Sequence, residues 1–373
     1  MSQTSALEQG CVVLYPNRAS EPEHERVVHA ELGRRLAQLQ GLGFAGDYRP
    51  AAAYAGPLYF VPSGTLVGQA ELQRLGIHGE LQLFGGAAWQ DFVPTKAISH
   101  PLLAATAAAP PGWSHDFGER IQGCVLKGLT VFSAADALLA GERLLSEGPL
   151  RIKPVRATAG RGQQVIGEAR TLRQAIADQD DRELQRFGLV LEENLQQVVT
   201  YSVGQVRVAD LVASYYGTQR LTHDNTGESV YGGSDLVVVR GGFEALLSLE
   251  LDDQVRRAIA QAQVYDSAAS ACFAGFFASR RNYDVARGVD VHGQPRSGVL
   301  EQSWRIGGAS SAEIAALQAF RGDERLSVLR AASLELYGPR QRPPASSDLL
   351  FSGEDAEVGF INKSVRVQPY GHA

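Results

Sequence analysis

Two stretches of the chain carry residues whose types and spacing could do chemistry. The first is "RRNYDVARGVDVHGQPRSGVLEQSWRIGG", residues 280–308. Strand side chains alternate with period two. Asn282, Asp284 and Asp290 therefore share one face of a first arm, opposite Tyr283, Val285 and Val289. In the second arm Glu301, Ser303 and Arg305 share a face, opposite Leu300, Gln302, Trp304 and Ile306. A turn centred on His292 and Gly293 places Asp284 across from Glu301. Directly opposed like charges are unfavourable, so the pair calls for a cation: Arg305 itself, or a divalent metal. Magnesium takes oxygen ligands at about 2.0–2.1 Å, often one or two carboxylates plus phosphate oxygens. Arg280 and Arg281, shortly before Asp284, are candidates to hold a substrate carboxylate by paired hydrogen bonds.

The second stretch is "RIKPVRATAGRGQQVI", residues 151–166. It reads as a strand carrying Lys153, a yielding loop from Ala157 to Gly162, and another strand. Glycine lets such a loop approach a ligand closely with its N–H groups outward, and with a lysine beside it the natural ligand is phosphate.

Other motifs carry less. "GLGFAG" (41–46) fits GxGxxG but follows a helical stretch and opens none, so it reads as a helix stop. "HERVVH" separates His24 and His29 by five residues, which puts them on different helix faces and reads as two surface histidines. Neither a GxSxG elbow nor a P-loop is present. His100, His115 and His223 read as polar loop or helix-start residues, with His223 the one worth testing. A net charge of −6 argues against nucleic acid and membrane surfaces as partners. The three cysteines, Cys11, Cys124 and Cys272, are far apart and form no CxxC, which fits a reducing compartment. With no basic-then-apolar leader and no run near roughly 18 apolar residues, the expected location is the cytoplasm.

The elements that must position these residues follow from the hydrophobic pattern of a 373-residue, 44% hydrophobic chain. "CVVLYP" reads as a strand, and Val28, Leu32, Leu36 and Leu39 form one helical stripe after it. "PLYFVPSGTL", "GQAELQRL" and "ELQLFGG" add a strand, a short helix and a third strand. After the Ala/Pro-rich crossing at 102–113 come a helix "SAADALLAGERLLSEG", the Lys153 strand, the strand "QQVIGE", a helix "TLRQAIADQ" with a Thr171/Gln174 capping box, and the strand "FGLVLEE". "VVTYSVGQVRV", "DLVASYYGTQRL" and "DLVVVRGG" follow, with "THDNTGESVYGGS" expected as a loop. A helix near 252–275 precedes the hairpin, and a helix "SAEIAALQAF" and a Pro-rich, weakly patterned tail end the chain. The expected division is an N-terminal α/β domain (1–105), a linker and lid (106–195), a central antiparallel sheet bearing the hairpin (196–310), and a C-terminal helix and tail (311–373).

Taken in order, the lysine strand and flexible loop, the "VLEE" strand, the late Asp284 and the E-x-S-x-R hairpin resemble the ATP-grasp superfamily, and more narrowly an uncharacterised bacterial family of ATP-grasp-like proteins. The resemblance implies a mixed α/β (α+β) fold in which nucleotide lies between a lid and a central antiparallel sheet. It also implies ATP and Mg2+ as cofactors, and a ligase that activates a carboxylate as an acyl phosphate for attack by an amine or similar nucleophile. Carboxylate, amine or peptide substrates and a homodimer are the implied partners. Lys96 and Lys153 match the nucleotide-contacting lysines, and the loop with Thr158, Gly160 and Gly162 the phosphate cover. Glu192, Glu193, Asn194 and Leu195 match the hinge where the adenine edge is read, partly by backbone. Asp284, Glu301 and Ser303 match the metal-binding positions, and Arg305 with Lys153 the residues acting on the transferred phosphate. Ser303 stands where the superfamily usually has asparagine. An ATP-binding protein with weakened catalysis, acting as a regulatory or partner module, is the alternative.

Overall fold

The computed structural model describes residues 9–156 and 162–371. Its first strand, β1 (Cys11–Tyr15), leads into the helix Glu23–Gln40, whose Val28, Leu32, Leu36 and Leu39 are the buried stripe read from the sequence. Gly41 adopts φ 68, the left-handed geometry that stops a helix, and "GLGFAG" then runs into β2 (Gly43–Asp47). These strands and β3 (Leu58–Pro62) form a parallel sheet in the order β2-β1-β3. The carboxyl ends of β1 and β3 are tied where Gly64 N donates to Asn17 Oδ1 at 2.7 Å. The strand expected at "ELQLFGG" is instead a 3-10 turn, Glu80–Gln82, followed by a short strand.

That short strand, β5 (Gly86–Ala88), lies between β4 (Leu66–Val67) and a much later one, Phe277–Ala278, which enters the hairpin. The N-terminal layer is thereby anchored beside the chemistry-bearing segment. A second anchor is the 3-10 turn Lys96–Ser99, started by Thr95, whose side chain accepts from Ala97 N.

The lid is an antiparallel sheet in the order β6-β9-β7-β8, made from β6 (Gly128–Val131), β7 (Leu150–Pro154), β8 (Gln164–Ile166) and β9 (Leu189–Glu193). One face packs Leu150, Ile152, Leu189 and Leu191 against Ala140 and Leu144 of the helix Ala134–Leu145 and Leu172 and Ile176 of the helix Ala169–Ala177. The second helix begins after Glu168 without a side-chain cap, so Thr171 lies inside it and the expected capping box is not formed. Residues 157–161 lie outside the described part, so Thr158 and Gly160 cannot be placed.

The large sheet has eight antiparallel strands. With the Phe277–Ala278 strand of the small sheet as β13, they are β10 (Gln196–Val208), β11 (Leu211–His223), β12 (Ser229–Arg240), β14 (Arg280–Val289), β15 (Pro295–Ser303), β16 (Val328–Tyr337), β17 (Asp348–Asp355) and β18 (Gly359–Pro369), in the order β15-β14-β10-β11-β12-β16-β18-β17. Two expectations are corrected. The stretch expected as the loop "THDNTGESVYGGS" is mostly strand, with the turn confined to the residues between β11 and β12. The tail expected to be weakly patterned supplies β16, β17 and β18, so the sheet continues well past residue 310. On one face lies the helix Asp253–Cys272, whose Ala258, Ala262 and Ala269 let it approach Val203, Tyr283, Val285 and Val299. On the other, Ile314, Leu317 and Phe320 of the helix Ser310–Gly322 pack with Val206, Val238, Leu329 and the first helix's Leu32 and Leu36. Burial of each such side chain contributes about 1.5–3 kcal/mol, which makes these layers rigid supports for the polar residues between them. No described helix is long and apolar enough to cross a membrane.

Candidate active site

The hairpin forms as its alternation requires. Asp284 stands opposite Glu301, and Asn282 opposite Ser303. A bulge between Asp284 and Val285 leaves Leu300 as the extra residue of β15 and turns it toward Leu126, Leu195 and Ala286, away from the helix-facing side shared by Gln302 and Trp304. Burial and the neighbouring Glu301 carboxylate push Asp284 up to about 6. This is the like-charge conflict read from the sequence, and Asn282 Nδ2 relieves part of it by donating to Asp284 Oδ1 at 2.9 Å.

The cation nearest this pair is Lys96, not Arg305. Lys96 Nζ lies 2.9 Å from Glu301 Oε2. Gln302 explains how the two meet, since its buried amide donates to the carbonyls of Val93 and Thr95 at 2.9 and 2.7 Å, fastening β15 to the segment that presents Lys96. Arg305 donates to the Ile306 carbonyl at 2.9 Å, and burial followed by the charge of Arg18 pushes its guanidinium down.

Lys153 projects from β7 on the face opposite the lid helices, and its ammonium pairs with Glu192 of β9. His100 Nε2 meets the other carboxylate oxygen of Glu192 at 3.1 Å. All three side chains are buried. Lys153 and His100 outweigh the penalty of burial and hold Glu192 down to about 2. The side chains of the next two hinge residues are also engaged: Glu193 takes a forked contact from Arg296 at 2.9–3.1 Å, and Asn194 Oδ1 accepts from Arg151 at 2.9 Å. Leu195 is buried against Leu126 and Ala286. What this hinge has left to offer a ligand is backbone and an apolar surface. Gly162, at φ 69, marks the described end of the loop.

Neither Arg280 nor Arg281 fits the expected substrate clamp. Arg280 is 2% exposed and pairs with Glu313, at 2.7 Å for the shortest contact, while Nη1 donates to Ser303 Oγ, the Ser303 carbonyl and the Arg305 carbonyl. Arg281 projects to the other face, toward Glu80 and Asp266 at 3.5 and 3.4 Å. Both guanidiniums already face carboxylates, on opposite sides of the sheet because consecutive strand residues alternate, Arg280 in the tighter and more deeply buried pair. His223 is exposed at the end of β11.

Sequence reading missed the support beneath the hairpin. Tyr215 Oη donates to Glu313 at 2.6 Å and lies 3.0 Å from Asn282 Oδ1, which completes a buried path from Glu313 through Arg280 and Asn282 to Asp284 and Ser303. The available signal was Glu313 itself, a lone acid within the apolar "SAEIAALQAF". His100, expected as a polar loop or helix-start residue, is instead fully buried against Glu192, which one isolated histidine in the sequence does not announce.

The donor set fits magnesium. Two opposed carboxylates, one of them raised toward the neutral form by the other, gain from a divalent cation. Among the described residues no group of three or more His, Cys, Asp or Glu is placed to hold an ion, so a magnesium ion here would draw its remaining ligands from phosphate and water. The Ser303 hydroxyl, bound by Arg280, is a weaker ligand than the residue expected there.

The comparisons agree with this architecture. Residues 12–365 match the model of a family described as "Protein of unknown function (DUF3182)". No curated protein matches the sequence. Among solved structures, N5-carboxyaminoimidazole synthase from Aspergillus clavatus, in complex with ADP and its aminoimidazole ribonucleotide, is similar at TM-score 0.51 and 12% identity, over 97% of this chain and 95% of that one. The biotin carboxylase domain of Hydrogenobacter thermophilus 2-oxoglutarate carboxylase, with MgADP and bicarbonate, gives 0.51 at 13%, over 96% and 86%. D-alanyl-alanine synthetase A from Vibrio cholerae gives 0.50 at 11%, over 85% and 94%. These are ATP-grasp proteins, and their likeness shows that the chain has the ATP-grasp fold.

Proposed function

The chain belongs to the DUF3182 family, and from that premise we propose that it is an ATP- and magnesium-dependent ligase that activates a carboxylate as an acyl phosphate for attack by an amine or similar nucleophile. The observation that carries the reading is the 2.9 Å contact between Lys96 and Glu301. It brings a lysine from before the lid onto a carboxylate of the sheet hairpin, so cations and acids from distant segments converge where a nucleotide's phosphates would lie.

Phosphoryl transfer asks for positioning and charge neutralisation more than covalent help from the protein. In this reading Lys153 and Lys96 hold phosphate oxygens, the 193–195 backbone reads the adenine edge, and Leu195 with Leu126 and Ala286 backs the base. Asp284 and Glu301 hold magnesium, which supplies neutralisation of phosphate charge. A substrate carboxylate oxygen attacks the terminal phosphorus, ADP leaves, and Arg305 balances the charge gathering on the transferred group. The amine then displaces phosphate from the acyl carbon. Arg280 and Arg281 take no part in holding the substrate carboxylate in this reading, because both face internal carboxylates.

A second reading, nucleotide binding without turnover, is favoured by Ser303, whose hydroxyl is already committed to Arg280. Screening carboxylate and amine pairs for substrate-dependent ADP release separates the two. The ligase reading predicts release that Glu301→Ala abolishes. Saturable ATP binding with no release for any pair would support the second reading.

A further inference from the structure

Glu192, Lys153 and His100 form a buried cluster with one carboxylate and two basic groups, one on each oxygen. Lys153 alone balances the charge of Glu192, so the histidine ring adds its hydrogen bond to a carboxylate that is already paired. Its Nδ1 is buried and has no hydrogen-bond partner among the described residues. With Nε2 facing a carboxylate, Nε2 carries the ring's proton and Nδ1 an unused lone pair, which is an orphaned basic site in the interior.

We propose that His100 is a positioning residue for the nucleotide clamp: it takes up a proton at Nδ1 as the Lys153 ammonium turns from Glu192 to phosphate, and so keeps Glu192 paired. The inference rests on the reading of Lys153 as a phosphate ligand. A buried carboxylate deprived of its cation is strongly unfavourable, so an ammonium free to reach phosphate needs a replacement charge behind it. Histidine is the side chain whose charge changes most readily near neutrality. The proton comes from solvent, one N–H bond forms at Nδ1, and the Lys153–Glu192 contact is exchanged for a His100–Glu192 ion pair.

Among the described residues, the ionisable groups at the ring are Glu192 from β9 and, on the other oxygen of that carboxylate, Lys153 from β7. From β6 come Gly128 and Thr130, whose hydroxyl is bound to the Ala97 carbonyl at 2.6 Å. On the ring's own segment Lys96 is held by Glu301. The ring fits because residue 128 is glycine: a Cβ there would sit 2.7 Å from His100 Cε1 and Nδ1.

The test is calorimetric titration of the full chain with MgATP at about pH 7.5 in two buffers of different ionisation enthalpy, on the wild type and His100→Asn. The proposal predicts that the wild type takes up as much as one proton more per nucleotide than the variant. It also predicts that wild-type affinity falls by up to tenfold per unit of rising pH, while that of the variant is flat. Equal proton counts in two proteins that both bind would overturn it. If His100→Asn does not fold, ring-15N NMR of the wild type decides, since a histidine becoming imidazolium on saturation supports the proposal and no change refutes it. If wild-type protein binds no nucleotide, the clamp reading fails, an outcome distinct from binding without proton uptake.

Discussion

The residues that matter most are those whose charges are set against one another. Glu301 faces Asp284 and is held by Lys96, so removing it takes away both the proposed magnesium ligand and the acid that gathers the lysine. Glu301→Ala is expected to lower substrate-dependent ADP release by at least about 100-fold, the scale on which single electrostatic groups act in catalysis. Glu313 works at one remove. It is fully buried and neutralises Arg280, which in turn holds Ser303 and the Arg305 carbonyl. Glu313→Ala leaves a buried guanidinium without its carboxylate and is expected to cost about 3–5 kcal/mol, read from urea denaturation midpoints, with a parallel loss of order at the hairpin.

The elements show why some of this was legible and some was not. The hairpin's polar face was readable because period-two alternation and one turn fix which residues oppose, and Asp284 does face Glu301. The bulge that turns Leu300 was not, since one extra residue leaves no compositional mark. Residues 229–234, the first half of β12, read as a loop because of their glycines, yet Gly233 has φ 127 and a Cβ there would lie 2.0 Å from the Ser333 carbonyl oxygen, so the glycine serves close strand approach. The last three strands escaped because β16 alternates imperfectly and Pro339, Pro343 and Pro344 follow it. Gly128 in β6 makes a prediction of its own: Gly128→Ala drives a methyl into the His100 ring and the Leu191 carbonyl, at 2.7 and 2.8 Å, and is expected to cost about 1–3 kcal/mol in thermal or urea unfolding.

At the scale of the molecule, the N-terminal layer is docked on the far end of the sheet through the start of its first helix. His24 N donates to Asp355 Oδ2 at 3.0 Å, and the His24 ring, buried beside Phe351, is not the surface histidine expected. Burial, followed by the charge of Lys363, pushes that imidazole down to about 4 from its ordinary 6.5. Between those values the unfolded chain binds the proton that the folded one refuses. Stability is therefore full above about pH 6.5 and is lost toward pH 4, by about 3 kcal/mol from this group. His24→Leu keeps the backbone contact and is expected to flatten that part of the stability profile. In the proposed function the lid lysine and the sheet carboxylates close on one magnesium-bound nucleotide. Calorimetric titration of the protein with ATP, with and without magnesium, beside Lys153→Ala and Glu301→Ala, measures this closure. Binding is expected to need magnesium and to be lost or weakened by at least about tenfold in both variants, the effect of roughly 1.4 kcal/mol. Wild-type binding that is indifferent to magnesium and unchanged in both variants would contradict it.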